Sequence, residues 1–324
     1  MIVEAFLTLF FLTTMGLVAY IFNDKLLTNR ESSVQEKPKA IHTSPTKVKE
    51  FYNQYNDDFL KVYGDVIQAF RTKDVSILLD YQIDSIGFEG GMKVIDAGCG
   101  ICGPATYFAI KKDIQIDAIT ISDEQFNKAT ENIQSKNLED KIKVACGDYH
   151  LLSEKFEKEA YDVVYFLESF GHSNDHKKAL ESAWEVLKPG GMVYIKDLFK
   201  KVAVLDEHQA KIDETIETIN KAYKYNVLDL YKVLHYARKM GYVVSSLKTV
   251  DLRIEDFENL TISNEFQELT GIAKIDNWDE YIFPIDFFEL KLYKPGYKLE
   301  HGIDKYFLQN LYYMQVHKRK EEDL

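Results

Sequence analysis

Between Val48 and Asp197 the chain alternates short apolar runs with longer amphipathic stretches. Residues 48–70, VKEFYNQYNDDFLKVYGDVIQAF, carry apolar side chains at helical spacing and are rich in aromatics. Lys93-Val94-Ile95-Asp96 is a β-branched run ending in an acid, followed by Gly98, Gly100 and Gly103 and a helical stretch from Pro104 to Lys111. Further strands are expected at Ile114–Ile121, Ile142–Ala145, Tyr161–Leu167 and Met192–Ile195, with helices at Asp123–Lys136 and His176–Leu187 between them. Strands alternating with helices at this spacing predict an α/β protein with a doubly wound, Rossmann-like parallel sheet. Residues 206–240 form a helical cap insertion in this reading, and Gly241–Leu252 a sixth strand. Residues 253–304 are expected to be an irregular, aromatic, substrate-side insertion, and Leu311–Lys318 the seventh strand.

Ahead of this domain, Ala5–Phe22 contains no charged residue. Eighteen residues at the ~1.5 Å helical rise nearly span a ~30 Å hydrocarbon core. No basic start and no A-x-A cleavage site accompany it, so an uncleaved membrane anchor over residues 1–22 is expected. A helix packed on the domain or on a partner is the alternative. Lys25, Arg30, Lys37 and Lys39 follow, which predicts a catalytic domain facing the cytosol. Residues 23–47 are polar, contain two prolines and are expected to be a flexible linker, with the main domain filling 48–324.

Composition narrows the partners. The formal net charge of −12 repels phosphate backbones, and the one basic run is His317-Lys318-Arg319-Lys320, so no nucleic-acid partner is expected. The three cysteines do not make a disulfide framework. Cys99 and Cys102 form a C-x-x-C, but no second half-site completes four ligands, and no metal site is expected.

The chemistry concentrates in Asp96-Ala97-Gly98-Cys99-Gly100-Ile101-Cys102-Gly103, a D-x-G-x-G-x-x-G pattern. Glycines there permit a tight strand-to-helix turn and close approach of a ligand to the backbone. Downstream stand Cys146-Gly147-Asp148, Glu168-Ser169-x-Gly171-His172 and Val186-Leu187-Lys188-Pro189-Gly190-Gly191. In this order and spacing the set closely resembles class I S-adenosylmethionine-dependent methyltransferases, over roughly Val48 to Asp197. Within them it is most similar to the sterol and prenyl C-methyltransferases and the cyclopropane-fatty-acid relatives, through Gly103-Pro104-Ala105, Ile119-Thr120-Ile121-Ser122-x-x-Gln125, and Phe51-Tyr52-x-x-Tyr55 with Tyr63-Gly64.

The resemblance implies a seven-stranded sheet, S-adenosyl-L-methionine as cofactor and a set of roles. Asp96, Ala97, Gly98 and Gly100 would hold its methionine end, and Thr120, Ile121, Ser122 and Gln125 its ribose and adenine edge. Ile121-Ser122 stands where many relatives place a ribose-binding acid. Gly147, Asp148 and Tyr149 would contact the adenine, with Asp148 equally suited to capping the next turn. Tyr52 and Tyr55 would close over the cofactor or sit in the core of their helix. Cys102 stands where relatives carry glycine.

Glu168 ends an apolar strand at the carboxyl edge of the sheet, where ligands bind in open α/β folds. Methyl transfer to an alkene carbon creates a carbocation, and a base must then remove a proton. Glu168 is the candidate base, with His172 or a tyrosine as partner; orienting the cofactor loop is its other possible role. Phe283, Phe287 and Phe288 among others crowd the aromatic stretch and suit an apolar pocket. The expectation is a membrane-anchored C-methyltransferase of a small lipophilic, sterol- or prenyl-type alkene. Two alternatives stay open: an O- or N-methyltransferase of a small polar metabolite, and an inactive membrane-tethered cofactor-binding module.

Overall fold

The computed structural model of the chain describes residues 42–253 and 281–296. They belong to one compact unit, residues 41–324. Two helices lead in, α1 (Pro45–Tyr63) and α2 (Val75–Ile86). Then follow β1 (Lys93–Ala97), α3 (Gly103–Lys111), β2 (Gln115–Thr120), α4 (Asp123–Ser135) and β3 (Ile142–Cys146). A 3-10 turn (Tyr149–Glu154) leads to β4 (Tyr161–Leu167), and a second (Phe170–His172) to α5 (His176–Val186) and β5 (Leu187–Lys200). The described residues end with α6 (Asp206–Tyr223), α7 (Leu230–Met240), β6 (Val243–Thr249) and β7 (Ile285–Tyr293).

Seven strands form one sheet in the order β3-β2-β1-β4-β5-β7-β6. The first five run parallel. β7 inserts antiparallel between β5 and β6. Strand alternation divides the core into two layers. Val94, Val163, Tyr165 and Tyr194 face one side, packed on Leu79 and Ile83 of α2 and Phe108 of α3. Ile95, Val164, Phe166 and Val193 face the other, packed on Leu180 and Ala183 of α5 and Val233 and Ala237 of α7. Each fully buried Leu or Phe in these layers contributes roughly 1.5–3 kcal/mol. Because β1 to β5 are parallel, all five deliver their carboxyl ends to one edge of the sheet.

The structure moves several expected boundaries. Helix α1 stops at Tyr63, because Gly64 (φ +63°) caps it, so residues 64–74 are a loop and not helix. The folded body begins before residue 48: Thr43 is buried, and the Ser44 side chain accepts from Lys47 N at 3.2 Å. The expected linker therefore ends earlier than residue 47. Helix α2 had no counterpart in the sequence reading, although Asp74 caps its start and Gly87 (φ +80°) its end. The 206–240 stretch is two helices, broken where Lys224 turns left-handed (φ +52°). Of these α7 is a layer helix on the sheet, and only α6 packs outside it, against Tyr225, Val227 and Ile285.

Strand β7 falls inside the stretch expected to be irregular, because Leu290 and Leu292 complete one core layer. The proposed strand Leu311–Lys318 and the aromatics Tyr297, Tyr306, Phe307, Tyr312 and Tyr313 lie outside the described residues. So does the apolar segment Ala5–Phe22. Among the described residues no helix is long and apolar enough to cross a membrane.

Glu289 of β7 joins the sheet to α2. Its buried carboxylate accepts from Tyr81 OH (2.5 Å), Ser85 Oγ (2.5 Å) and Tyr194 OH, and pairs with Lys248 Nζ at 3.1 Å. Burial pushes the carboxyl up, but the four donors together outweigh it and hold its pKa below the usual value. Glu289→Ala is expected to cost roughly 3–5 kcal/mol in chemical unfolding, since the buried donors lose their acceptor. The carboxylate's stabilisation is complete above the unfolded pKa of about 4.3 and is lost as pH falls through the lower folded value. Wild type and Glu289→Gln should therefore converge in unfolding free energy on acidification, and a gap that stays constant with pH would contradict this.

Candidate functional site

At the carboxyl edge of β1 the chain turns within two residues. The N–H groups of Gly98 and Cys99 both donate to Ile119 O, at 2.9 and 3.0 Å. Gly98 has φ +90°, and a Cβ there would lie 2.5 Å from Ser169 Cβ. A Cβ on Gly103 would lie 1.8 Å from Asp65 O, so side-chain-free positions let the loop close against both neighbours. Cys102 occupies the glycine-type position with φ +61° and opens α3. It and Cys99 are buried free thiols, and burial pushes the Cys99 thiol well up.

Around this turn lies a cavity. Its floor comes from Asp96, Gly98, Gly100, Thr120, Ile121, Gln125, Asp148 and Tyr149. Its far wall comes from Tyr52, Glu168 and His172, and its roof from Asp65, Ile67 and Gln68 of the 64–74 loop. Asp96 is buried, and its Oδ2 has no hydrogen-bond partner. Burial pushes its pKa up to about 7, against a smaller opposing effect from the Tyr165 phenol. Such an orphaned acceptor suits a cationic ligand group, which would return the carboxylate to its charged form.

Asp148 caps the following turn by accepting from His150 N at 2.9 Å, and it also accepts from His150 Nδ1 at 2.6 Å. Both bonds use Oδ1, which leaves Oδ2 for a ligand. Burial alone would raise this carboxyl, yet the His150 bonds hold it below its usual value. Thr120 Oγ1 donates to Gln125 Oε1 at 2.9 Å, so the amide nitrogen of Gln125 is the group offered to the cavity.

Glu168 is in the left-handed region (φ +57°), and its side chain is fully engaged. Oε2 accepts from Ala69 N at 2.5 Å; Oε1 accepts from Phe70 N at 3.1 Å and from Lys196 Nζ. Lys196 is completely buried and also donates to Gln68 Oε1 (2.8 Å) and Phe70 O (3.3 Å), so all three ammonium hydrogens are placed. This network holds the roof loop on the sheet.

His172 and Tyr52 are paired on this wall of the cavity. Its Nδ1 lies 3.1 Å from Lys224 O and must donate, so Nε2 accepts from Tyr52 OH at 2.8 Å. Burial lowers the imidazole to about 4, despite the opposing carbonyl of Lys224, so it is neutral at pH 7. Tyr52 is raised by burial first and by Asp197 and Glu168 next, so the phenol keeps its proton.

Four residues expected at the cofactor stand elsewhere. Tyr55 packs on Phe51, with ring centroids 5.2 Å apart, within the α1 cluster. Ala97 points into the α5 layer, and its carbonyl accepts from Ser169 Oγ at 2.5 Å. Ser122 caps α4 and donates to Asn53 Oδ1 at 2.7 Å, tying α1 to α4. Gly147 turns the chain beside Ile119 and Lys155, off the cavity wall. Conversely, Ile67, Gln68, Ser169 and Lys196 were not anticipated. Lys196 had a signal, a charge that directly follows the apolar run Val193-Tyr194-Ile195 and stands beside Asp197.

The profile of the mycolic acid cyclopropane synthetase family matches residues 68–263, well over half of the chain. The chain belongs to that family. It is thereby a class I S-adenosylmethionine-dependent methyltransferase by descent. The chain is 28% identical over 174 residues to 24-methylenesterol C-methyltransferase 3 of Arabidopsis thaliana, covering 51% of this chain and 48% of that protein. It spans about half the length of the first curated relatives it matches. Among solved structures, the [4+2]-cyclase SpnF shares the fold with a TM-score of 0.64 at 19% identity, over 79% of this chain and 98% of its own. A geranyl diphosphate methyltransferase in complex with its diphosphate and sinefungin does so with a TM-score of 0.62 at 14% identity, over 77% and 99%.

In this cyclopropane synthetase family member the residues fit the family's cofactor: an orphaned acid for its ammonium, bare glycines for its carboxylate end, and a spare Asp148 oxygen for its amine. Asp96 is partly protonated near pH 7 in the free protein, and the ammonium needs the carboxylate. S-adenosylhomocysteine affinity should therefore weaken as pH falls below about 7, with proton release on binding. Calorimetry in buffers of different ionisation enthalpy reads this directly. Asp96→Asn should bind more weakly and release no proton; an unchanged proton count would detach Asp96 from the cofactor.

Proposed function

We propose that the protein transfers a methyl group from S-adenosylmethionine to a carbon of a lipophilic, sterol- or prenyl-type alkene. One observation carries this reading: a single cavity joins the cofactor-type floor of Asp96, Gly98, Gln125 and Asp148 to the neutral Tyr52–His172 pair. Family membership and the sterol-methylating relative support the acceptor class. The uncharged stretch Ala5–Phe22 adds to it, since a membrane-anchored, cytosol-facing enzyme would meet an apolar acceptor.

When bound, the cofactor supplies an electrophilic methyl group on its sulfonium. Asp96 and Asp148 hold its two ends, and the roof loop excludes water, so proximity and orientation supply much of the acceleration. Methyl addition leaves a cation on the acceptor, whose neighbouring C–H becomes strongly acidic. A weak base then suffices, and His172, neutral above about 4, is one. Tyr52 Oη takes the carbon-bound proton as its own passes to His172 Nε2. Glu168, the base expected from the chain alone, has its oxygens committed to Ala69, Phe70 and Lys196. Its role in this reading is to seat the roof.

The two assignments separate by substitution. His172→Asn and Tyr52→Phe should lower turnover by roughly 10²–10⁴-fold. Their S-adenosylhomocysteine affinity should stay near that of wild type. Glu168→Gln should lose cofactor affinity and thermal stability together. A Glu168→Gln variant that binds normally but does not turn over, beside an active His172→Asn, would return the base to Glu168.

A further inference from the structure

Behind Asp148 stands a hydrogen-bonded chain that the proposed proton transfer does not use. His150 is buried, and Asp148 Oδ1 takes both of its donors, the backbone N–H at 2.9 Å and ring Nδ1 at 2.6 Å. The Asp148 carboxyl is held below its usual pKa by these bonds against the opposing effect of burial, so near pH 7 it only accepts. Nδ1 therefore carries the hydrogen, and in that tautomer Nε2 is an acceptor. Ser173 Oγ lies 2.7 Å from Nε2 and gives it a hydrogen, while accepting from Asp175 N at 3.0 Å. Both ring nitrogens are thus matched, which leaves the imidazole one orientation. Ser173 is completely buried, so the Asp–His–Ser order is not a nucleophilic triad: no acyl group reaches its hydroxyl.

The two ends of the chain show what the order is for. Asp148 and His150 both line the cavity. With the backbone bond alone, the Asp148 carboxylate could still turn about its Cβ–Cγ bond. A second donor on the same oxygen fixes its plane and leaves Oδ2 as the oxygen free for a ligand. At the other end, Tyr149 OH donates to Ser169 O at 3.1 Å, while His150 bonds Ser173. Residues 149 and 150 thereby hold both ends of the turn that carries His172. Asn226 Nδ2 braces the same turn, donating to Ser173 O at 3.1 Å.

We propose that His150 is a positioning residue for recognition of the cofactor's base. Through Nδ1 it aims Asp148 at the exocyclic amine of the adenine, and through Nε2 it takes its own orientation from Ser173. This rests on the reading of Asp148 as the partner of that amine. The test measures binding to the full chain of S-adenosylhomocysteine and of its 6-deamino analogue, in which hydrogen replaces the amine. Wild type should prefer S-adenosylhomocysteine roughly 10- to 100-fold, as for a hydrogen bond to a charged acceptor, and Asp148→Ala should abolish the preference. His150→Phe should lose most of the preference while still binding the analogue, which reports a folded protein. His150→Asn, whose amide N–H takes the place of Nδ1–H, should keep most of it, and Ser173→Ala should fall between. Nitrogen-15 spectra of wild type should show the His150 proton on Nδ1. A merely structural role would weaken both compounds alike and leave their ratio unmoved. That result in His150→Phe, no rescue by His150→Asn, or a proton on Nε2 alone overturns the proposal. Wild type without the preference, or Asp148→Ala with it, overturns the reading of Asp148 and the proposal together.

Discussion

The buried pair of Lys196 and Glu168 organises the site. Two opposite charges, one just past the end of β4 and one within the adjacent β5, are taken out of water, at a desolvation cost that only close pairing and complete hydrogen bonding offset. Both conditions are met, because the lysine's three hydrogens and the glutamate's two oxygens each find partners in the 64–74 loop or in each other. The loop therefore has one low-energy register on the sheet edge. Gln68 extends the same network to Gln82 of α2, at 2.7 Å. The left-handed turn at Glu168 aims the carboxylate across the edge and is held there by the pairing.

A second clamp works from the opposite side. The turn after α6 reaches back to the segment after β4: Asn226 N donates to Gly171 O at 2.7 Å, and Lys224 O accepts from His172. Tyr225 lies so close to Gly171 that a Cβ there would meet its ring at 2.1 Å. Its hydroxyl donates to Asp197, whose carboxyl burial pushes up to about 7. The result is a division of labour across the cavity. Strand ends of the parallel sheet build the floor of the cavity, and long-range clamps build its wall and roof.

What could be seen in the chain follows that division. Asp96, Gly98, Gly100 and Asp148 belong to short strand–loop segments whose geometry depends on a few consecutive residues, so the chain alone singled them out, and all four line the cavity. The five parallel strands were legible too, each a β-branched run with a turn signal at its end. Ser122 was placed correctly at a strand end, but its cap to Gln125 and its bond to Asn53 turn it toward packing. Glu168 was picked out as the exceptional acid, while the reason it is exceptional, Lys196, went unnoticed. Strand β7 was missed because its alternation of Leu290 and Leu292 with Glu289 only makes sense beside β5 and α2.

The sequence by itself determined the doubly wound sheet, the glycine turn and the cofactor class, because period, turn chemistry and motif order are local properties. The tertiary structure alone decided which polar groups are free to act. Glu168 is committed to partners 98 and 99 residues away, and His172 is given its tautomer by a carbonyl 52 residues away. Whether a charge is matched is a matter of burial and distance, and neither is written along the chain.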